Sequence, residues 1–324
     1  SEMCIRDRFG EGHVDGLQTI RDLKTPLDAN NPEYGPLANQ LLVTNATNEG
    51  RDDILKRFAF NSFGTRNFAN HGSYCGYAFR AASGAFLHDL DKFLHLKPDY
   101  EHVEFALFIG TAPAQAGNPF KRQARQLAKA RTRDNFDYAV VTPVLPMTSS
   151  LAAGHNNQWV SIKPASDSAL VFAMMQWMFT HDRYNKDYLA QPSAEAMKAA
   201  GNAHWCNATH LVITEIGHKR QGAMLRASDI GLPFDGQAYS DSDPYVVIDE
   251  ASGELAVNTQ AKPARLLVEQ SVETKHGTLQ VASSLQKLKH SAFEHSMQQW
   301  SELCEVPVEK IIELADKFTR HGHK

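Results

Sequence analysis

Cysteine is scarce: the 324 residues hold four, Cys4, Cys75, Cys206 and Cys304, and they lie far apart. With no Cys-x-x-Cys pair and no Cys/His cluster, the chain has no sequence signature of a zinc or iron–sulfur site. Any cysteine chemistry is therefore done singly. Long apolar runs are lacking too, since the longest, residues 169–179, is broken by Gln176 and falls short of the ~20 residues a membrane-crossing helix needs. Positive charge is not in excess. Lys plus Arg number 33 against 37 Asp plus Glu, a formal net charge of −4, which disfavours a strongly basic nucleic-acid binder. Neither Gly-x-Ser-x-Gly nor Gly-x-x-x-x-Gly-Lys-[Ser/Thr] occurs, so the sequence gives no sign of a serine-hydrolase elbow or a P-loop. What remains, 42% hydrophobic and 22% charged residues, is the composition of a globular protein long enough for one large domain or two ordinary ones.

Both ends carry expectations of their own. Residues 1–8 (SEMCIRDR) match the translation of a transposon-end adapter used in sequencing libraries, and an assembly artefact is expected there. On that expectation the lack of a signal peptide says nothing about export. The chain stops at Lys324 just after a helix-like run, and truncation is expected at that end as well.

The central segment gives the clearest fold signal. Residues 103–109 form a short apolar run ending at Gly110, residues 118–133 are rich in helix formers behind Pro119, and residues 138–142 are a second buried-strand candidate. Strand, helix and strand over about 40 residues make a βαβ unit and so a parallel sheet. The Gly110-Thr111-Ala112-Pro113 turn then falls at the C-terminal end of a strand, where open α/β sheets place ligands. A plain strand-to-helix turn explains that pattern equally well.

A third strand at residues 159–162 leads through Lys163-Pro164-Ala165-Ser166-Asp167 into a helix over 168–181, with Ser166 or Asp167 as the N-cap. Leu170, Met174, Trp177 and Met178 recur at helical spacing and read as core. Residues 211–214 are a further buried strand. From 221 to 284 the texture turns to short strands and polar turns, a β-rich insertion, after which helices return and an amphipathic one closes the chain over 307–319.

For chemistry, the run from His71 to Arg80 stands out. It gathers the Cys75 thiol, an imidazole, two phenols, a guanidinium and two glycines. A cysteine near cations is biased toward thiolate, the form that attacks or ligates metal, whereas a lone cysteine is more often a small buried hydrophobe. The basic run Lys121, Arg122, Arg125, Lys129, Arg131 and Arg133 suits nucleic-acid contact or, more simply, a solvated helix face. His204, His210 and His218 share no helical ligand spacing and read as surface or hydrogen-bonded residues, and His321 and His323 as a frayed terminus.

Taken in order, these segments resemble the catalytic subunits of the molybdopterin oxidoreductase (dimethyl sulfoxide reductase) superfamily, and within it the tetrathionate reductases. The Cys75 region is similar to the family's molybdenum-ligating loop, and Gly110-Thr111-Ala112-Pro113 takes the place of its Gly-x-Asn-Pro turn. Thr142-Pro143-Val144 falls at the Asp-Pro-Arg position, and Lys163-Pro164-Ala165-Ser166-Asp167 matches Arg-Pro-Gly-Thr-Asp. The departures are Ala112 for Asn, Thr142 for Asp, Val144 for Arg, Lys163 for Arg, and Ala165-Ser166 for Gly-Thr. Residues 114–125, 209–215 and 225–229 carry the likeness to tetrathionate reductases.

The resemblance implies a fold, an α/β class with an incomplete Rossmann-like parallel sheet domain and the β-rich insertion at 221–284. Its expected divisions are the artefact at 1–8, the remnant of a neighbouring α/β domain at 9–70, and the dinucleotide-type domain at 71–324. It implies Cys75 as the molybdenum ligand, with Arg80, His71 and Arg66 holding a dianionic oxyanion. Gly110, Thr111, Ala112, Pro113, Thr142, Pro143, Val144, Lys163, Ala165, Ser166 and Asp167 are the implied contacts to a bis(molybdopterin guanine dinucleotide) molybdenum cofactor. A 4Fe-4S cluster is implied in an N-terminal part of the parent not represented here. The implied activity is reduction of tetrathionate to thiosulfate, with arsenate respiration or a non-catalytic scaffold of the same fold as alternatives. Implied partners are two further subunits, one an iron–sulfur electron-transfer protein and the other a membrane quinol oxidiser, without nucleic acid. The implied location is the periplasm.

Overall fold

The computed structural model describes residues 16–45, 52–87, 96–112, 120–144, 157–260, 262–275 and 277–320. Contacts divide the chain into two units, Ser1–Pro98 and Asp99–Lys324, a division beyond the 70/71 boundary expected from the sequence. Residues 1–8, 113–119 and 321–324, which carried expectations above, lie outside the described residues.

In the first unit Pro26, Pro32, Gly35 and Pro36 favour turns over long elements. Strands β1 (Val43–Asn45) and β2 (Phe68–Asn70) pair in parallel, with Val43 opposite Phe68. Helix α1 (Asp52–Lys56) begins with two acids at the positive end of its dipole and widens into a π-helical stretch, Arg57–Phe63. That stretch ends at Gly64, whose φ of 99° suits glycine. Strand β2 runs straight into α2 (His71–Tyr74) and α3 (Gly76–Leu87), with Cys75 between them.

The second unit is built on β3 (Phe105–Ile109), β4 (Asp137–Val141) and β5 (Asn157–Val160), parallel and in that order. Helix α4 (Phe120–Ala130) makes the crossover from β3 to β4, as the βαβ reading expects. Because strand side chains alternate, β4 serves two cores. Tyr138 and Val140 pack with Phe108, Leu127, Ala130 and Phe136 on the α4 side. Ala139 and Val141 pack on the other face with α5 (Asp167–Thr180) through Leu170, Ala173 and Met174. Helices therefore cover both faces, which is why β4 reads as a continuous apolar run.

Two short helices follow, α6 (Lys186–Leu189) and α7 (Ala194–Ala200). The antiparallel body then uses β6 (Leu211–Ile213), α8 (Ala227–Ile230), the β7 (Val246–Ile248) and β8 (Leu255–Val257) pair, β9 (Glu269–Thr274) and β10 (Gly277–Ser283). Its sheet order is β6-β10-β9, so the β-rich stretch draws in 211–213 from upstream of residue 221. It has its own core of Leu211, Ile213, Leu225, Val246, Ile248, Val272, Leu279 and Val281. Helices α9 (Ser284–Ala292), α10 (Met297–Cys304) and α11 (Val308–Arg320) return to the parallel sheet. There Trp300, Ile311 and Leu314 join the α5 core, each large apolar side chain contributing about 1.5–3 kcal/mol by burial. No helix among the described residues is long and apolar enough to cross a membrane.

Candidate functional site

The parallel topology places the C-terminal ends of β3, β4 and β5 along one edge, and three sequence-identified segments follow those ends directly. Cross-strand bonds continue past the strands and tie the segments together. The Gly110 N–H donates to the Val141 carbonyl at 2.9 Å, and the Thr142 N–H to the Val160 carbonyl at 3.1 Å. Gly110 has a φ of 60°, and a Cβ added there would meet no atom of the described residues within 4 Å. Thr111 and Ala112 come next, and their amides make no hydrogen bond with a described residue. Pro113 lies outside the described residues.

Thr142 is buried, and its hydroxyl closes the next turn on itself. Its Oγ1 donates to the Val144 carbonyl and accepts the Val144 N–H at 3.0 Å. An aspartate at this position could also accept from the residue two places on, so the Thr-for-Asp departure keeps the oxygen that shapes the turn. Trp159, which the sequence reading did not single out, fixes the turn from β5: its Nε1–H donates to the Thr142 carbonyl at 2.9 Å. Pro143 and Val144 are exposed.

The third segment is held from the far end of the chain. The Lys163 N–H donates to the Cys304 carbonyl at 3.0 Å, and Lys163 Nζ lies 3.6 Å from Glu305 Oε1. Ser166 takes the N-cap position of α5, but its Oγ donates to the Lys163 carbonyl at 2.6 Å instead of capping the helix. Ala165, between them, has a φ of 62°. The family's glycine at this place has a backbone reason, because the left-handed region clashes with a Cβ. Asp167 begins the helix and is exposed. Trp159 and the Cys304-Glu305 corner left no sequence signal, since each acts on the edge through long-range contacts.

In the first unit, Cys75 is exposed and its thiol is free. Helical bonding runs through it: the Cys75 N–H donates to the His71 carbonyl at 3.2 Å, and the Phe79 N–H to the Cys75 carbonyl at 3.0 Å. Four residues back on one helical face, His71 Nδ1 sits 4.0 Å from the Cys75 Sγ. Arg80 is exposed on α3, and five residues of α-helix amount to about 140° of rotation, so it leaves the helix on a different side from Cys75. Arg66, also exposed, precedes β2, where its N–H donates to Asn39 Oδ1 at 2.8 Å. Among the described residues no three His, Cys, Asp or Glu side chains gather as a metal-holding cluster. The soft donor offered here is the single thiol of Cys75.

No family model matches the chain. A tetrathionate reductase polypeptide of Salmonella typhimurium is 50% identical over 98% of this chain and 30% of its own length. A selenate reductase polypeptide of Mesobacillus selenatarsenatis is 28% identical over 100% of this chain and 30% of its own length. The corresponding tetrathionate reductase polypeptide of Archaeoglobus fulgidus is 28% identical over 91% of this chain and 24% of its own length. Among solved structures, acetylene hydratase from Pelobacter acetylenicus aligns over 95% of this chain and 28% of that one, at 14% identity and a TM-score of 0.43. The chain thus spans less than a third of the length of the curated relatives it matches. Half of its residues are identical along nearly its whole length to a stretch that makes up 30% of the Salmonella tetrathionate reductase polypeptide, and that is the protein this chain is shown to resemble.

Proposed function

We propose that the protein containing this chain is a molybdenum-dependent respiratory reductase of a sulfur oxyanion, converting one tetrathionate into two thiosulfates. The observation that carries this reading is the 50% identity to the Salmonella tetrathionate reductase polypeptide, sustained over 98% of the chain. The arsenate alternative finds no support among the relatives named above. The residues present suit the cofactor that the family implies. A sheet edge with a left-handed Gly110, followed by Thr111 and Ala112 amides that bond to no described residue, is a place where backbone N–H groups bind a pyrophosphate. When bound, the molybdenum–pterin group supplies the two electrons that cleave the central S–S bond.

The chain's own residues then have distinct tasks. The Cys75 thiolate, soft and exposed, is the metal ligand of this reading, and His71 stands beside it as a hydrogen-bonding group. Gly110, Thr111 and Ala112 offer amides, Thr142 to Val144 hold the middle of the edge, and Lys163 adds a cation whose loop is anchored at Cys304. Arg80 and Arg66 supply the positive charge a dianionic substrate needs. The guanine dinucleotide form of the cofactor and a 4Fe-4S cluster elsewhere in the protein belong to this proposal and rest on the family resemblance. So do an iron–sulfur partner, a quinol-oxidising membrane partner and a periplasmic location.

The decisive test is Cys75→Ala in the whole protein. Because the side chain is exposed, its loss leaves the fold intact, and the expected result is loss of tetrathionate reduction with a disturbed molybdenum site. Normal metal content together with normal turnover overturns the ligand assignment.

A further inference from the structure

On the β-rich body a cleft of about 580 Å³ is lined by His218, Lys219, Arg220, Arg226, Asp229 and Tyr239, none of which belongs to the sheet edge. We infer that this cleft binds a small chain oxoanion of sulfur or phosphorus, one with charge at both ends.

Charge accounting points to an anion. The one carboxylate in the lining, Asp229, is buried and engaged on both oxygens. Oδ1 accepts from the Arg220 guanidinium and from the Tyr239 hydroxyl at 2.8 Å, and Oδ2 accepts the Arg226 N–H at 2.8 Å. That pairing neutralises Arg220, and the buried Asp243 carboxylate, on which the Arg226 charge acts, offsets Arg226, so the surplus positive charge of the lining is that of Lys219. The Arg226 guanidinium donates to the Asp243 carbonyl at 2.6 Å and to the Tyr245 hydroxyl at 3.1 Å. Lys219 is exposed and makes no ion pair or hydrogen bond with a described residue. His218 Nδ1 accepts the Arg220 N–H at 3.2 Å, so in the neutral ring the proton is on Nε2, which adds a donor to the lining. The cleft therefore presents donors and unbalanced positive charge.

The donors are also held in place before any ligand arrives. The Arg220 guanidinium lies 4.7 Å from the Tyr239 ring centroid, and that of Arg226 lies 3.9 Å from the Tyr245 centroid. Tyr239 itself sits at a φ of 59°, kept there by its N–H bond to Asp243 Oδ2 at 2.8 Å. A bulky residue held in left-handed backbone is the kind of strain that persists where the surroundings over-determine it, often at ligand clamps. Fixed donors lower the ordering cost of binding. The volume lies within the ~300–1,000 Å³ of small-molecule clefts, with more room than one tetrahedral oxoanion fills.

The test titrates the whole protein, oxidised and without electron donor, with inorganic pyrophosphate in a calorimeter at fixed ionic strength. Pyrophosphate is not reducible there, so the result is independent of the reductase reading. Saturable binding is expected, weakened roughly tenfold or more by Lys219→Glu and less by Lys219→Ala. Both variants are expected to melt like the wild type, because Lys219 is exposed and bonds to no described residue. Equal affinity in wild type and Lys219→Glu overturns the proposal, and so does a wild type that gives no binding. A hexaglutamate peptide is the second probe: binding of the peptide without binding of pyrophosphate also overturns it, in favour of an acidic protein surface.

Discussion

The Ser166 hydroxyl donates to the Lys163 carbonyl at 2.6 Å, closing a loop whose middle residue, Ala165, is carried through left-handed backbone. A Cβ in that region costs about 1–2 kcal/mol, part of which glycine returns through its freer unfolded chain. Ala165→Gly is therefore expected to stabilise the protein by about 0.5–1 kcal/mol. Ser166→Ala, which removes a mostly buried hydrogen bond, is expected to destabilise it by about 1 kcal/mol. Urea unfolding of both variants checks the pair, and a destabilised Ala165→Gly contradicts the strain argument.

Thr142 offers a second local test. Its oxygen both donates to and accepts from Val144, so Thr142→Val keeps the shape and strips the turn of its closing group. A loss of about 1–2 kcal/mol is expected, with Thr142→Ser retaining most of the stability and Thr142→Asp retaining the bond to the Val144 N–H. Denaturant midpoints for the three variants give the order directly. A valine variant as stable as the serine one removes the turn's dependence on that oxygen.

The parallel sheet was legible in the sequence because β3 and β4 are short apolar runs and α4 lies between them with strong helix formers. The helices α5 and α11 were legible from their apolar spacing and the signals at their ends. Strand β6 could be read as buried, yet not assigned to a sheet, since Leu211, Val212 and Ile213 are all buried and a run apolar on both faces fits either partner geometry. The π-helical stretch after α1 left no periodic trace. As for the site, its segments were visible through resemblance, but what holds them was not: Trp159 to Thr142 and Cys304 to Lys163 are contacts between residues distant in sequence. The cationic cleft was hidden for the same reason, its lining coming from a turn after β6, the residues before and within α8 and the loop bearing Tyr239.

His210 links the β-rich body to pH. It is buried, its Nε2–H donates to the Pro192 carbonyl at 3.0 Å, and its Nδ1 has no partner among the described residues. Desolvation first, and then the nearby Arg226 charge, push its pKa below 6.5, against the opposing pull of the Pro192 bond. The unfolded chain thus takes up a proton that the folded one refuses. Stability contributed by the neutral ring is full above pH 6.5 and is lost as pH falls from there toward the lowered folded value. His210→Gln keeps a donor for Pro192 without a titrating group, so its unfolding midpoint is expected to vary less between about pH 6.5 and pH 5 than the wild type's. Identical pH profiles for the two proteins contradict the assignment.

Arg80 is where a role in substrate binding and a purely structural one separate most clearly. It follows Cys75 by five residues with helical bonding running through the α2–α3 junction, so its backbone starts about 140° round the axis and only its long side chain could return it to the thiol's side. If the guanidinium grips a dianionic substrate in the whole enzyme, Arg80→Lys keeps the charge and loses the planar fork, and Arg80→Gln loses both. Charge-assisted hydrogen bonds contribute about 1.5–3 kcal/mol each, so kcat/KM is expected to fall roughly tenfold for lysine and further for glutamine. If Arg80 instead serves to hold α3 against its neighbours, both variants melt earlier and turn over normally at low temperature. Steady-state kinetics and a thermal melt on the same preparations separate the two, and reduced stability with unchanged kcat/KM takes Arg80 out of the substrate's reach.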